Sequence, residues 1–287
     1  MCKERIIVSL TTWSKRISNI PVVLDTIYAQ TVLPDLVVLN LSYDELIPDN
    51  VKHYISEHGI EVNRVPDTKV YKKLIPTLKK YPNDCVISID DDWLYPDTMI
   101  EDFMKIHEKY PNFPISGNHI IKFNMQCHCG CASLTKASYF GKDLDLVDDD
   151  IMNNCPSDDI VYTFFSNRNG HPYVRTNEQY FENMESFNAK DSYSENTDGN
   201  VGIEKSYKYL VERFGDVGNS IIPYINDDYL SKIILDIHQK DIWNEKNEMR
   251  RITSEDFCST KPYRIGYTML LPVLWIKNAV SRVVKKK

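Results

Sequence analysis

Cys85-Val86-Ile87-Ser88-Ile89-Asp90-Asp91-Asp92 is the stretch on which the fold turns. Its first five residues are apolar apart from Ser88, and they stop abruptly at three carboxylates. So short a run, without polar alternation, reads as a strand buried on both faces. The aspartates cannot follow it into an apolar interior, so the strand must end where they begin.

The upstream sequence supplies partners of the same kind. Ile6 to Leu10 is a β-branched apolar run closed by the polar turn Thr11-Thr12-Trp13-Ser14-Lys15-Arg16, and Leu36 to Leu41 and Ile60 to Val65 read as further strands. Between them lie helical patterns, the first with Pro21 near its start and Val22, Val23, Ile27 and Tyr28 at helical spacing. Tyr71 to Leu78 is predicted helical, with Pro76 ending or kinking it. Alternation of continuous apolar strands with helices predicts an α/β fold, a mostly parallel sheet flanked by helices. In such sheets ligands bind beyond the carboxyl ends of the strands, where Thr11 to Arg16 and Asp90 to Asp92 both fall.

Downstream, Met99 to Tyr110 is predicted helical, Pro114 to Phe123 extended, and Asp158 to Phe165 helical. Thr176 to about Lys205 is polar and poorly periodic and reads as a long loop. Ile221 to Leu235 returns to apolar periodicity. Residues 1–235 are expected to form the main domain, divided into a 1–95 half and a 96–235 half, with 236–287 a helical, basic tail. From Arg264 to Lys287 there is no acidic residue, and Tyr267 and Trp275 sit in an apolar stretch that ends in Lys285-Lys286-Lys287. That composition suits a helix lying on an anionic membrane surface. A helix packed on the domain with a solvated lysine end suits it equally.

Bulk properties exclude several classes. The 287 residues carry a formal net charge of −7, which leaves no basic footprint for nucleic acid. The seven cysteines are odd in number and three crowd into Cys127, Cys129 and Cys131, unlike a disulfide framework. The residues after Met1 run directly into the first strand without a signal-peptide pattern, and no stretch approaches the ~20 apolar residues of a membrane span. A cytoplasmic protein is expected, at most peripheral on the inner face of the plasma membrane.

The aspartates carry the chemistry. Three adjacent carboxylates at a buried strand end repel one another unless a cation sits among them, and Mg2+ or Mn2+ takes carboxylate and phosphate oxygens. A solvated turn capping the next helix would also use Asp. Pro156-Ser157-Asp158-Asp159-Ile160 is a second acidic pair, able to serve as a general base or as an N-terminal cap. Cys127-His128-Cys129-Gly130-Cys131 suggests zinc, but C-x-C-x-C is not the usual spacing and its partners would have to be Cys155 and His171. Asn226-Asp227-Asp228 reads as a helix cap or a ligand contact, while His119 and His171 are left without a role.

Several segments in order, Val8 to Ile17, Ala29-Gln30-Thr31-Val32-Leu33-Pro34-Asp35, Tyr71 to Leu78 and Asp90 to Pro96, resemble nucleotide-sugar glycosyltransferases of the GT-A fold. More narrowly they resemble a bacterial branch related to family 2, found in surface-polysaccharide synthesis, over the first hundred residues and more loosely to about residue 235. The resemblance implies that Thr11, Thr12 and Arg16 line a nucleotide pocket, that Asp67 meets the base, and that Lys72 or Lys73 faces nucleotide or phosphates. It implies Asp90 and Asp91 on the donor side, Asp92 and Asp90 on Mn2+ or Mg2+, and Asp159, aided by Asp158, as catalytic base. The implied reaction is inverting transfer from a nucleotide-diphosphate sugar, UDP-linked by expectation, to a hydroxyl of a glycan or lipid-linked saccharide. The alternatives are a sugar nucleotidyltransferase, against which the glycine-free turn Thr11 to Arg16 counts, and a silent sugar-nucleotide-binding module.

Overall fold

The computed structural model describes residues 4–123, 125–128, 130–175 and 199–217. The first compact unit ends at Val217. The expected boundary at 235, the apolar stretch 221–235, Asn226-Asp227-Asp228, the tail 236–287, and most of the expected loop 176–205 lie outside the described residues.

The apolar runs become strands β1 (Ile6–Thr11), β2 (Leu36–Ser42), β3 (Glu61–Val65) and β4 (Cys85–Ile89), all mutually parallel where they pair. Among the described residues the further strands are β5 (Ile115–Ser116), β6 (His119–Lys122), β7 (Met125–His128), β8 (Ala132–Thr135) and β9 (Val174–Arg175). Seven form one sheet in the order β3-β2-β1-β4-β8-β5-β9, and β6 and β7 make a separate antiparallel ribbon. Only β8 runs against the others, wedged between β4 and β5. Every residue of β4 is buried, as its uninterrupted apolar pattern requires.

Helices flank the sheet: α1 (Ile20–Tyr28), α2 (Asp49–His58), α3 (Ile75–Lys80), α4 (Met99–Lys109), α5 (Asp149–Asn154), α6 (Asp158–Arg168) and α7 (Gly199–Phe214). The chain steps outward from β1 to β2 to β3 and then returns across β1 to β4. Right-handed crossovers therefore put α1 and α2 on one face and the segment before β4 on the other. The reversal makes the carboxyl ends of β1 and β4 the crevice of the sheet.

Two expectations are corrected. Residues 71–78 are not one kinked helix: a 3-10 turn over Lys69–Lys73 breaks at Leu74, and α3 begins anew with Pro76 in its first turn. Proline's fixed φ suits a helix start, where its missing N–H costs nothing. The expected loop is helical from Gly199 onward. Ser206 there is fully buried against α6, donating to Gly202 O at 2.8 Å and accepting from Ser157 N at 3.0 Å. Tyr207 and Phe214 pack on Phe164 and Phe165 of α6. Tertiary packing thus overrides a locally polar sequence.

Candidate active site

The two strand ends meet through Arg16. Its Nε donates to Asp91 Oδ2 at 3.2 Å, its Nη1 lies 3.2 Å from Asp92 Oδ2, and its Nη2 contacts Asp91 Oδ1. Arg16 and Asp91 are each 6% exposed, so this is an ion pair inside the crevice wall. The planar guanidinium spans both carboxylates as an ammonium could not. Arg16 therefore fastens the β1 loop to the β4 loop in this structure.

Lys73 does the same for the second acidic pair. Its Nζ donates to Asp90 Oδ1 at 3.0 Å and lies 3.1 Å from Asp158 Oδ2 and 3.8 Å from Asp159 Oδ1. Burial alone would lower the lysine's pKa, but three surrounding carboxylates outweigh it and hold the ammonium charged well above its ordinary range. Sequence positions 90 and 158–159 are thereby gathered around one buried cation. Lys72 points elsewhere and pairs with Asp67 at 2.5 Å, leaving Asp67's side chain 64% exposed.

The segment after β7 closes the cluster from above. Gly130 and Cys131 both have positive φ, 63° and 61°, so that successive N–H groups converge. Gly130 N donates to Asp159 Oδ2 at 2.8 Å and Cys131 N to Asp90 Oδ2 at 3.0 Å. Each backbone donor thus holds one carboxylate, and the two successive residues link Asp159 to Asp90. His128, 2% exposed, places Nε2 at 3.4 Å from Asp159 Oδ1. Burial and then the charge of Lys73 push its pKa down to about 4, so the ring is neutral at neutral pH.

The carboxylates differ in their ionisation. Asp90 is desolvated, but Lys73 and the Cys131 N–H more than offset this and keep it below the usual range. Burial, then repulsion from Asp90, lifts Asp92. Burial, joined by the charges of Asp159 and Asp90, pushes Asp158 up to about 6 against the pull of Lys73, and burial likewise raises Asp159. Paired groups pushed apart in this way are the usual arrangement for assigning an acid and a base.

The donor set fits a hard divalent cation. It consists of carboxylate oxygens: among the described residues, five carboxylates face the two cations Arg16 and Lys73. Asp158 Oδ2 and Asp159 Oδ1 are buried without an aligned hydrogen bond, and Asp92 is crowded by like charge. An oxygen-seeking ion at Asp92 relieves that crowding.

Of the remaining expected residues, Thr11 donates its hydroxyl to Asn40 O at 2.7 Å, whereas Thr12 Oγ1 is buried with no hydrogen-bond partner. The 29–35 segment makes two ties: Gln30 Nε2 donates to Pro96 O at 2.6 Å in the chain after Asp92, and Asp35 Oδ2 accepts from Ile6 N at 2.7 Å at the amino end of β1, away from the crevice. The suggested zinc partners are apart from the Cys127 segment: Cys155 Sγ turns to Ser206 O, and His171 Nδ1 donates to Asn112 O at 2.7 Å. Cys129 lies outside the described residues.

Sequence reasoning missed Tyr95, His128 and the two backbone donors. Tyr95 Oη bonds both Asp90 N at 2.9 Å and Cys131 O at 2.9 Å, tying the two loops. A signal for His128 existed in its position inside a short strand beside Gly130, but the three cysteines drew the reading toward metal.

No family model and no curated protein matches this sequence. Among solved structures, the chain is similar to mannosyltransferase PcManGT from Pyrobaculum calidifontis, in complex with GDP-Man and Mn2+. That likeness has 15% identity, covers 100% of this chain and 89% of the other, and has a TM-score of 0.49. The UDP complex of S. aureus TarS residues 1–349 is similar at 11% identity, over 90% of this chain and 75% of that one, with a TM-score of 0.48. A 4-diphosphocytidyl-2C-methyl-D-erythritol synthase is similar at 10% identity, over 63% and 92%, with a TM-score of 0.42.

Proposed function

We propose that this chain is a metal-dependent GT-A glycosyltransferase that moves a hexose from a nucleotide-diphosphate sugar to an acceptor hydroxyl. The observation that carries the reading is the convergence of Asp90 and the Asp158–Asp159 pair on Lys73 at the carboxyl end of β4. Donor carboxylates and a base are thereby brought within one side chain's reach of each other, as single displacement at an anomeric carbon needs. The sequence resemblance to GT-A enzymes supports the same assignment.

Asp90 and Asp92 would hold Mn2+ or Mg2+, which when bound supplies positive charge to the departing diphosphate. Thr11 and Thr12 line the nucleotide pocket by the resemblance, Thr12 with its hydroxyl buried and unpartnered beneath the surface. Asp67, exposed and paired with Lys72, would offer its carboxylate to the base, a UDP base by the resemblance. Arg16 and Asp91 act by fixing the loop rather than by touching phosphate. Asp159 accepts the proton of the attacking hydroxyl, with inversion, while Asp158 orients the acceptor. The backbone N–H of Gly130 holds Asp159 in place during that transfer. The acceptor is a growing surface glycan or a lipid-linked saccharide of bacterial envelope synthesis, such as capsule or lipopolysaccharide. Residues 264–287 would bring the enzyme to the anionic inner leaflet. Among the described residues no helix is long and apolar enough to cross a membrane.

The test is donor turnover by the purified chain over a panel of UDP-, GDP- and nucleoside-triphosphate substrates, with Mn2+, Mg2+ or EDTA. Release of nucleoside diphosphate, lost with EDTA and in Asp92→Asn and Asp159→Asn, is expected. Pyrophosphate release from a triphosphate would indicate nucleotidyl transfer, and full activity in both variants would overturn the site. For the tail, flotation on anionic liposomes should disappear when 264–287 is removed.

A further inference from the structure

A second cluster lies at the other end of β4. Cys85 opens that strand, five residues before Asp90, which places it about 17 Å from the acidic site along the chain. Beside it stand Glu4, just before β1, and His107, in the last turn of α4. Cys85 Sγ is 3.5 Å from His107 Nε2 and 3.3 Å from Glu4 Oε2, and His107 Nε2 is 3.4 Å from Glu4 Oε2. Among the described residues this is the one group of three such side chains with ligand atoms all mutually close.

The three separations are those of a coordination shell. Tetrahedral Zn2+ with bonds of roughly 2.0–2.3 Å sets nitrogen and oxygen ligands roughly 3.3 Å apart, and sulfur roughly 3.6 Å from either. The imidazole is also turned the right way. Tyr139 Oη donates to Pro111 O at 2.9 Å and so is left to accept from His107 Nδ1 at 3.5 Å. A proton held on Nδ1 leaves the Nε2 lone pair facing the thiol and the carboxylate, the orientation that metal-binding histidines take from their outer partners. A nucleophilic Cys–His–Glu triad would need the carboxylate on the other ring nitrogen, and here both groups face Nε2. Lys136 holds only the second oxygen of Glu4, leaving Oε2 to the cluster.

The geometry points to a site for a borderline divalent cation, Zn2+ above all, held by Cys85 Sγ, His107 Nε2 and Glu4 Oε2 with a fourth position open to solvent. Its distance from Asp90 makes it a clamp joining the chain before β1 to β4 and α4, independent of the reading of the acidic site. On binding, the Cys85 thiol gives its proton to solvent and the thiolate bonds the metal.

The probe is Co2+ added to the full, metal-stripped chain, followed by the thiolate-to-cobalt charge-transfer absorption and by displacement with Zn2+. One equivalent should give the band, and Zn2+ should abolish it. It should survive Asp90→Asn with Asp92→Asn, which removes the acidic site, and Cys127→Ser with Cys129→Ser and Cys131→Ser, which removes the thiols of the C-x-C-x-C segment. It should vanish in Cys85→Ser and in His107→Gln. Should those buried variants not fold, Glu4→Gln at the exposed edge should weaken Co2+ at least about tenfold. No band in the parent chain, a band that persists without Cys85, or unchanged affinity in Glu4→Gln would overturn the site.

Discussion

Replacing Lys73 by methionine tests the electrostatic centre of the molecule. The change keeps most of the side chain's volume and removes its charge, so what is lost is the cation that Asp90, Asp158 and Asp159 share. The lysine's side chain and that of Asp158 are each 9% exposed, and that of Asp90 is 26% exposed, so water can replace little of the missing charge. Removing one partner of a buried pair costs about 3–5 kcal/mol, because the surviving charge stays desolvated. The penalty should depend on pH in a defined sense. The Asp158 carboxyl lies at about 6 even with Lys73 beside it, and Asp159 is raised in the same direction by burial. Without the lysine both rise further, so lowering the pH neutralises the stranded group. Urea unfolding of parent and variant should therefore show the full loss at about pH 7.5 and about half of it at about pH 5. Adding Asp158→Asn to the variant should recover part of the loss, giving a coupling energy above about 0.5 kcal/mol. A loss below about 1 kcal/mol, or an equal loss at both pH values, would falsify the claim that Lys73 acts by compensating buried charge.

Three further outcomes follow from the same geometry. If Asp159 is the base and Asp158 its partner, kcat/KM rises on the acid side as these carboxyls, both raised by burial and Asp158 to about 6, ionise, and in Asp158→Asn that limb moves; a profile that stays flat from acid to neutral pH argues against it. Since a carboxyl raised in the folded state binds its proton more tightly there, this pair favours folding most below its ordinary pKa, and the contribution declines as pH climbs through about 6. Arg16→Lys loses the two-pronged grip on Asp91 and Asp92, and thermal or urea denaturation should register about 2–4 kcal/mol. Gly130→Ala has room, the added Cβ meeting Asp90 Oδ2 at 3.9 Å, so only the left-handed backbone at φ 63° resists it; a loss of about 1–2 kcal/mol in the same assay is expected, and a larger one would indicate a clash.

Strands β1, β2 and β4 could be read from sequence because a buried parallel strand leaves an unbroken apolar run, and the crevice followed from their order. Asp90 to Asp92 and Asp158–Asp159 were legible as acidic clusters for the same reason: carboxylates cannot continue a buried strand and favour helix starts. What joins them was not. Lys73 looks on paper like any lysine near a helix, since its partners lie 17 residues away and far beyond, and only the folded chain shows that it is buried. The pairing of Arg16 with Asp91 and Asp92 was hidden in the same way, its partners lying 75 residues and more along the chain. The antiparallel β8 left no trace either, its four residues Ala132 to Thr135 carrying no period long enough to read.

One line of polar contacts beneath the site bears on how the sheet comes to be assembled correctly. Asn63 of β3 donates to Asn40 Oδ1 of β2; Asn40 Nδ2 donates to Ser9 Oγ of β1 and to Thr77 Oγ1 of α3; and Ser9 donates to Lys73 O. Parallel ladders are evenly spaced, so backbone bonding alone is nearly indifferent to a slide of one strand along its neighbour. These side chains are not indifferent. A slide of a single residue turns Asn40 or Ser9 to the opposite face and strands its partners dry in the core. The line therefore works as an alignment mark: only a chain whose first three strands have found their proper offsets can seat the carbonyl of Lys73. The charge that organises the crevice is thus delivered to its carboxylates as a result of strand pairing completed on its far side.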